Sequence, residues 1–282
     1  LFFVLKLLAS LLGSLSPASA DKLARTLTTI TFDVLRLRRG LILRNIDIAF
    51  GPRMSPEEKL RIGRESVYNF ALTMLEFFRS ESVDIAGSIS VNGAEHIREA
   101  LARNKGVYVL CFHMGNWEAM GAACTRFIAP SHVLVKRVGS SGVNRFVSET
   151  RARNGFLSVR RQGKGDGYKA IVKALSKGEI IGFVMDQARP GNPRLPFFGK
   201  PAKTNTSFAA IWRRHPAPIV PAYIVRKSIG SHVIEFMPEV KLELTQDEAA
   251  DVNRHSVQFN QVVEQVILRK PEQYFWMHNR WK

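Results

Sequence analysis

Six consecutive residues of this 282-residue chain carry the side-chain types that proton-transfer chemistry uses: His113-Met114-Gly115-Asn116-Trp117-Glu118. An imidazole beside a carboxylate is a general base with a fixed tautomer. It is suited to taking the proton of a hydroxyl as that hydroxyl attacks a carbonyl, and such a base contributes about 10²–10⁴-fold. The apolar run 107–112 leads straight into this stretch, Gly115 and Asn116 are turn formers, and 119–127 reads as a helix. His113 is therefore expected at the carboxyl end of a strand and Glu118 in the first turn of a helix, where open α/β sheets hold their ligands. On one continuous helix this spacing would separate the two side chains by roughly 140°, so a strand–turn–helix bend has to bring them together. A structural histidine hydrogen-bonded at a strand end fits the same six residues, and on this motif alone both readings stay open. Cys111 shares a strand face with His113 and would permit a Cys–His nucleophile pair, although its apolar setting favours an inert thiol. His96, His132, His215, His232, His255 and His278 follow no ligand spacing, so no metal is expected.

The elements that must position these residues are legible around them. Short apolar runs at 107–112, 133–135, 156–159, 180–185, 219–225 and 232–236 alternate with helical stretches near 117–128, 142–153, 166–177 and 204–214. This alternation predicts an α/β fold, a central mixed sheet flanked by helices. Ser55-Pro56-Glu57-Glu58 opens a helix running toward Arg79, and an amphipathic helix over 247–268 precedes an aromatic and basic tail. Residues 1–18 read as a hydrophobic anchoring segment, 19–80 as a helical amino-terminal region and 81–282 as the α/β core.

The six-residue block resembles the His-x4-Glu block of glycerolipid and lipid A acyltransferases. In its His-x-Gly-Asn-Trp-Glu form it is similar to the late acyltransferases of lipid A biosynthesis and to relatives that acylate phosphatidylinositol mannosides. Arg151-Ala152-Arg153, Met185-Asp186-Gln187, Pro196-Phe197-Phe198-Gly199-Lys200-Pro201-Ala202 with Thr204, and the segment from Pro271 to His278 resemble further blocks of that family in the same order. Ser207 and Asn279 depart from it, where relatives often have Gly and Arg. The resemblance implies a glycerolipid-acyltransferase-like fold and a membrane-associated O-acyltransferase. In that reading His113, oriented by Glu118, deprotonates an acceptor hydroxyl that attacks the thioester of an acyl carrier protein or, as second choice, coenzyme A. It implies a lipid A precursor or related glycolipid as acceptor, no cofactor beyond the thioester co-substrate, and a catalytic domain on the cytoplasmic side of the inner membrane. Arg151 is the first candidate for oxyanion contact, with backbone N–H groups of the 115–117 turn as the alternative. Asp186, Gln187, Asn116, Arg137 and Arg189 are further candidates for substrate contact. Phe197 and Phe198 either border an acyl tunnel or belong to the core.

Charge bears on partners. Lys and Arg number 41 against 24 Asp and Glu, a net charge of +17 at pH 7, which predicts polyanionic partners. An acidic acyl carrier protein and a phosphorylated lipid both fit, and Arg160, Arg161 and Lys164 join Arg137 and Arg189 as candidate phosphate contacts. A non-enzymatic protein binding anionic membrane or nucleic acid would explain the charge as well, but no zinc-finger spacing, RNA-binding signature or basic zipper is present, so nucleic acid is not expected. A helix over the first 16 residues would reach about 24 Å, short of the roughly 30 Å hydrocarbon core. With the amphipathic stretch 21–39 and its basic flanks, it is expected to lie on an anionic leaflet. A cleaved signal ending near Ala20 and an ordinary core helix are the other readings. Two cysteines, Cys111 and Cys124, point to free thiols in a reducing compartment.

Overall fold

The computed structural model describes the chain apart from residues 136–138, 156, 161–165 and 188–189, and apart from the side chains of 135 and 157–160. Four helices come first: α1 (Phe2–Gly13), α2 (Pro17–Thr28) continuing into a π-helical stretch (Thr29–Val34), α3 (Arg39–Phe50) and α4 (Pro56–Arg79). Two of them, α2 and α4, open on a serine cap followed by proline. At α4 the Ser55 hydroxyl accepts the Glu58 N–H at 3.2 Å while the Ser55 N–H donates to Glu58 Oε2 at 2.8 Å, and Pro56 occupies the first helical position, where no N–H is needed. The amphipathic stretch expected over 21–39 stops at Val34, because Arg36 and Arg38 take left-handed backbone angles, φ 51° and 57°.

The remainder alternates strand and helix as expected: β1 (Ile89–Asn92), α5 (Ala94–Leu101), β2 (Val107–Cys111), α6 (Trp117–Phe127), β3 (Ser131–Val135), α7 (Ser141–Arg153), β4 (Leu157–Arg160), α8 (Asp166–Ser176) and β5 (Ile180–Val184). A hairpin, β6 (Arg194–Phe197) and β7 (Lys200–Lys203), then α9 (Ser207–Arg214), β8 (Ile219–Ser228), β9 (Ser231–Phe236) and α10 (Glu248–Arg269) complete it. The main sheet has the order β1-β9-β8-β2-β5-β3-β4, parallel throughout except for the β8–β9 pair.

β2 lies at the centre of the sheet with all five residues buried, which explains its unbroken apolar run. Val107, Val109 and Cys111 pack toward Ala119, Met120 and Ala123 of α6. Tyr108 and Leu110 face the opposite layer, with Ile171 of α8, Phe208 of α9 and Phe259 of α10. Helices cover both faces, so the strand ends at the carboxyl edge are what remains open for chemistry.

Candidate active site

The turn after β2 is pinned from three sides. Gly115 sits at φ +55°, and a Cβ there would fall 2.2 Å from the Ile224 carbonyl oxygen of β8, so only glycine fits. Its N–H donates to Gln273 O at 3.1 Å and its carbonyl accepts from Thr73 Oγ1 of α4 at 2.8 Å. The carboxyl-terminal segment adds a bridge from Tyr274 to Met114 and a bond from the Phe275 N–H to His113 O at 3.0 Å. Asn116 caps α6, its Oδ1 accepting from the Ala119 N–H at 3.0 Å, while its amide nitrogen donates to Glu76 Oε2 at 2.7 Å.

This scaffold places His113 against a carboxylate from the neighbouring strand. Asp186, two residues past the end of β5, accepts from the His113 backbone N–H at 2.9 Å and from Nδ1 at 2.8 Å. Burial alone would push the Asp186 carboxyl up. The charge and the hydrogen bonds of His113 outweigh it and hold the group below the usual carboxylate range. An ionised Asp186 fixes the proton on Nδ1 and leaves the Nε2 lone pair for a substrate proton. Gln187 turns its amide nitrogen toward that atom at 3.4 Å. The rings of Trp117 and Phe275 stand 4.9 and 5.8 Å from the imidazole and limit its rotation.

His113 opens into a cavity of about 670 Å³ that it shares with Glu118, Arg151 and Gln187. Its floor against α6 is apolar, formed by residues such as Val109, Met120, Val133 and Val184. Glu118 does not orient the imidazole. Its carboxylate is taken by a fork-on-fork pair with Arg151 of α7, at 2.8 Å to Nε and 2.6 Å to Nη2, with both side chains largely buried.

An imidazole held by a buried carboxylate at the wall of a cavity with an apolar floor suits several transfer reactions. The profile of the bacterial lipid A biosynthesis acyltransferases matches residues 1–282. The chain belongs to the lipid A biosynthesis acyltransferase family. Among its relatives are the lipid A biosynthesis palmitoleoyltransferase of Escherichia coli K12, 26% identical over 257 residues, and the lauroyltransferase of the same organism, 26% identical over 260. Each alignment covers 88% of this chain and 80% of the relative. The 1-acyl-sn-glycerophosphate (LPA) acyltransferase PlsC of Thermotoga maritima is a remoter likeness, at TM-score 0.35 and 15% identity over 86% of this chain and 98% of that one.

Within this acyltransferase the residues expected from sequence fall into distinct places. His113, Glu118, Arg151 and Gln187 line one cavity, and Asp186 lies directly behind His113. The contact with the imidazole expected of Glu118 is made by Asp186, because Arg151 occupies the glutamate while the β2–β5 pairing delivers the aspartate. Asn116 cannot contact substrate: it is wholly buried, with both ends of its amide spent on Ala119 and Glu76. Gly115, one of the turn amides expected to meet the oxyanion, is likewise spent on Gln273. Phe197 is buried in the core rather than along the cavity, stacked on Trp281 at 5.2 Å. Cys111 is buried, bonded to Phe183 O at 3.3 Å, and burial pushes its thiol up, so it is not poised as a nucleophile. Arg137 and Arg189 lie outside the described residues, as do the side chains of Arg160, Arg161 and Lys164.

The sequence reading missed Glu76. Its carboxylate accepts from Arg226 Nη2 at 2.5 Å, from Asn116 at 2.7 Å and from the Gly230 N–H at 3.1 Å, joining α4, β8 and the cap of α6 inside the protein. A single glutamate in an amphipathic helix carries no sequence signal of this role.

Proposed function

We propose that this acyltransferase moves a fatty acyl chain from the thioester of acyl carrier protein to a hydroxyl of a lipid A precursor or related glycolipid, at the cytoplasmic face of the inner membrane. The observation that carries the reading is His113, which lines the cavity with its Nδ1 engaged by Asp186. His113 takes the acceptor hydroxyl proton as the oxygen attacks the thioester carbonyl. The C–S bond then breaks, and the imidazolium returns the proton to the departing thiolate, so no covalent enzyme intermediate forms. Arg151, braced by Glu118 at the cavity wall, is the group we assign to the oxyanion, and the apolar floor suits the acyl chain. The net charge of +17 suits an acidic carrier and a phosphorylated acceptor, which makes the reaction strongly salt-dependent. Incubating the purified protein with labelled acyl carrier protein or acyl coenzyme A and a lipid A precursor tests the assignment. Label in the lipid with the carrier as the better donor is expected; no transfer from either thioester would overturn it.

The amino-terminal region supports attachment to a membrane surface. Phe2 and Ala9 of α1 pack with Phe77 of α4 and Phe146 of α7, and the helix's one charge, Lys6, turns inward to Glu81 at 2.6 Å. Phe3, Val4, Leu7 and Leu11 are left 60–80% exposed. Among the described residues no helix is long and apolar enough to cross a membrane. α1, about 18 Å long at 1.5 Å per residue, fits an interfacial position. Burying a leucine-sized side chain contributes about 1.5–3 kcal/mol. A Phe3→Asp/Leu7→Asp variant is therefore expected to lose at least tenfold in partition to vesicles of anionic phospholipid. Unchanged co-sedimentation would show that α1 is not the attachment face.

A further inference from the structure

One arm of the cavity runs between α6 and the strands beneath it. From the helix it is lined by Trp117, Met120, Gly121 and Cys124, the i, i+3, i+4, i+7 spacing of a single face. From the sheet it is lined by alternate residues: Val109 and Cys111 of β2, Ile180, Gly182 and Val184 of β5, and Val133 of β3. The strand register sets Val109, Gly182 and Val133 side by side, so the middle of that row carries no side chain. Gly182, Val133 and Val184 are only half-buried although a helix covers this face, because the space in front of them is open. In the next row toward the amino ends of the strands, Ile180 pairs with Ser131, both are buried, and with the buried Cys124 they lie at the end of the arm away from His113. His113 stands four residues beyond Val109, at most about 13 Å along the strand direction. Toward α9, on the other face of the sheet, the cavity is lined by Asn205, Ser207 and Arg214, which leaves the arm under α6 as the apolar one.

Neither the backbone nor the packing requires glycine at 182. Its φ lies outside the left-handed region, unlike that of Gly115. A Cβ there would meet the His132 carbonyl oxygen at 3.5 Å and Cys111 Sγ at 3.9 Å, both ordinary van der Waals contacts, and no other neighbour within 4 Å. The register runs through it without a bulge. A glycine inside a strand weakens it, and where no bulge or bend explains it, it marks a close approach by something else. Building on the acyl-transfer reading, we propose that Gly182 is a specificity-determining residue: the gap it leaves between Val109 and Val133 is the passage for the distal part of the donor acyl chain, and it sets how long a chain the enzyme accepts. With the thioester carbonyl at His113, the chain runs down under α6 toward Ile180. A chain that ends short of Gly182 is indifferent to a side chain at that position, and one that passes it is not.

The test compares the full-length wild type with Gly182→Ala and Gly182→Val. Each is given octanoyl, lauroyl, myristoyl and palmitoyl thioesters of acyl carrier protein in competition, and binding of the free fatty acids of the same lengths is followed by displacement of a fluorescent fatty acid. In Gly182→Val, kcat/KM for the donor that wild type prefers is expected to fall at least about tenfold, while octanoyl transfer is kept and the preferred donor becomes a shorter one. Gly182→Ala is expected to move in the same direction by less. A change that merely disturbed the sheet would lower transfer of every chain length alike. A wild type whose best donor is octanoyl, or a folded Gly182→Val that keeps the wild-type ranking of chain lengths, overturns the proposal; should the valine variant not fold, an unchanged ranking in Gly182→Ala does so. A wild type that transfers no acyl group contradicts the functional reading instead. Fatty-acid binding still decides the role of Gly182 in that case: loss of the long chains with octanoate retained is expected in Gly182→Val, and an unchanged ranking overturns it.

Discussion

Replacing Asp186 with asparagine is expected to lower kcat by roughly 10²–10⁴-fold while leaving the fold and the donor KM close to wild type. The size follows from which atoms the carboxylate serves. Its two oxygens accept two donors, the His113 backbone N–H at 2.9 Å and Nδ1–H at 2.8 Å. An asparagine has one oxygen, and the backbone N–H cannot invert, so that oxygen goes to the main chain. The amide nitrogen then faces the imidazole as a donor and drives the ring proton from Nδ1 to Nε2, the atom meant to receive the substrate proton. Steady-state kinetics beside circular dichroism of the variant checks this. A folded asparagine variant within threefold of wild-type kcat would show that the aspartate does not set the tautomer.

The second large effect is on stability. Glu76→Ala is expected to cost about 3–5 kcal/mol, the penalty for leaving the buried Arg226 guanidinium without its partner. Glu76 and Arg226 are only 6% and 7% exposed, and Arg226 also donates to Asn69 Oδ1 at 2.9 Å and Thr73 Oγ1 at 3.2 Å. Replacing Glu76 and Arg226 together by leucine and methionine is expected to cost less than the single change, since no orphan charge remains. Against the burial that would raise it, Arg226 and His232 hold the Glu76 carboxyl far below the usual carboxylate range. A depressed folded-state value means that the pair's stabilisation is complete above the unfolded value, about pH 4.3, and is lost as the pH falls below it. Chemical denaturation at pH 7 and pH 3.5 measures both effects. A Glu76→Ala midpoint equal to that of wild type at pH 7 would contradict them.

Much of the fold was open to reading because each signal was local. The capping box at Ser55 and Glu58, the apolar run of β2 and the alternation of strands with helices are all set by neighbours within a few residues, and each formed close to where it was expected. The site was legible only in part for the opposite reason. His113 and Glu118 are close in sequence and reach one cavity, yet the partner of the imidazole is 73 residues away. That separation is set by strand register. Val107 pairs with Ile180 and Cys111 with Val184, so the residues two past each strand end meet at the same edge of the sheet. Two apolar runs of equal length, each followed at the same offset by a titratable residue, were the available signal, but it becomes usable only once the strands are known to be neighbours. Glu76 left no such trace, since it sits on the buried face of a long helix.

The most direct measurement is the mass of the lipid acceptor after incubation with acyl carrier protein thioester and either wild type or His113→Ala. Wild type is expected to add one acyl group to the acceptor hydroxyl, and the folded His113→Ala protein to form product at least 10²-fold more slowly. Product formed by the folded variant at the wild-type rate would contradict a reaction that begins with the loss of a hydroxyl proton to His113.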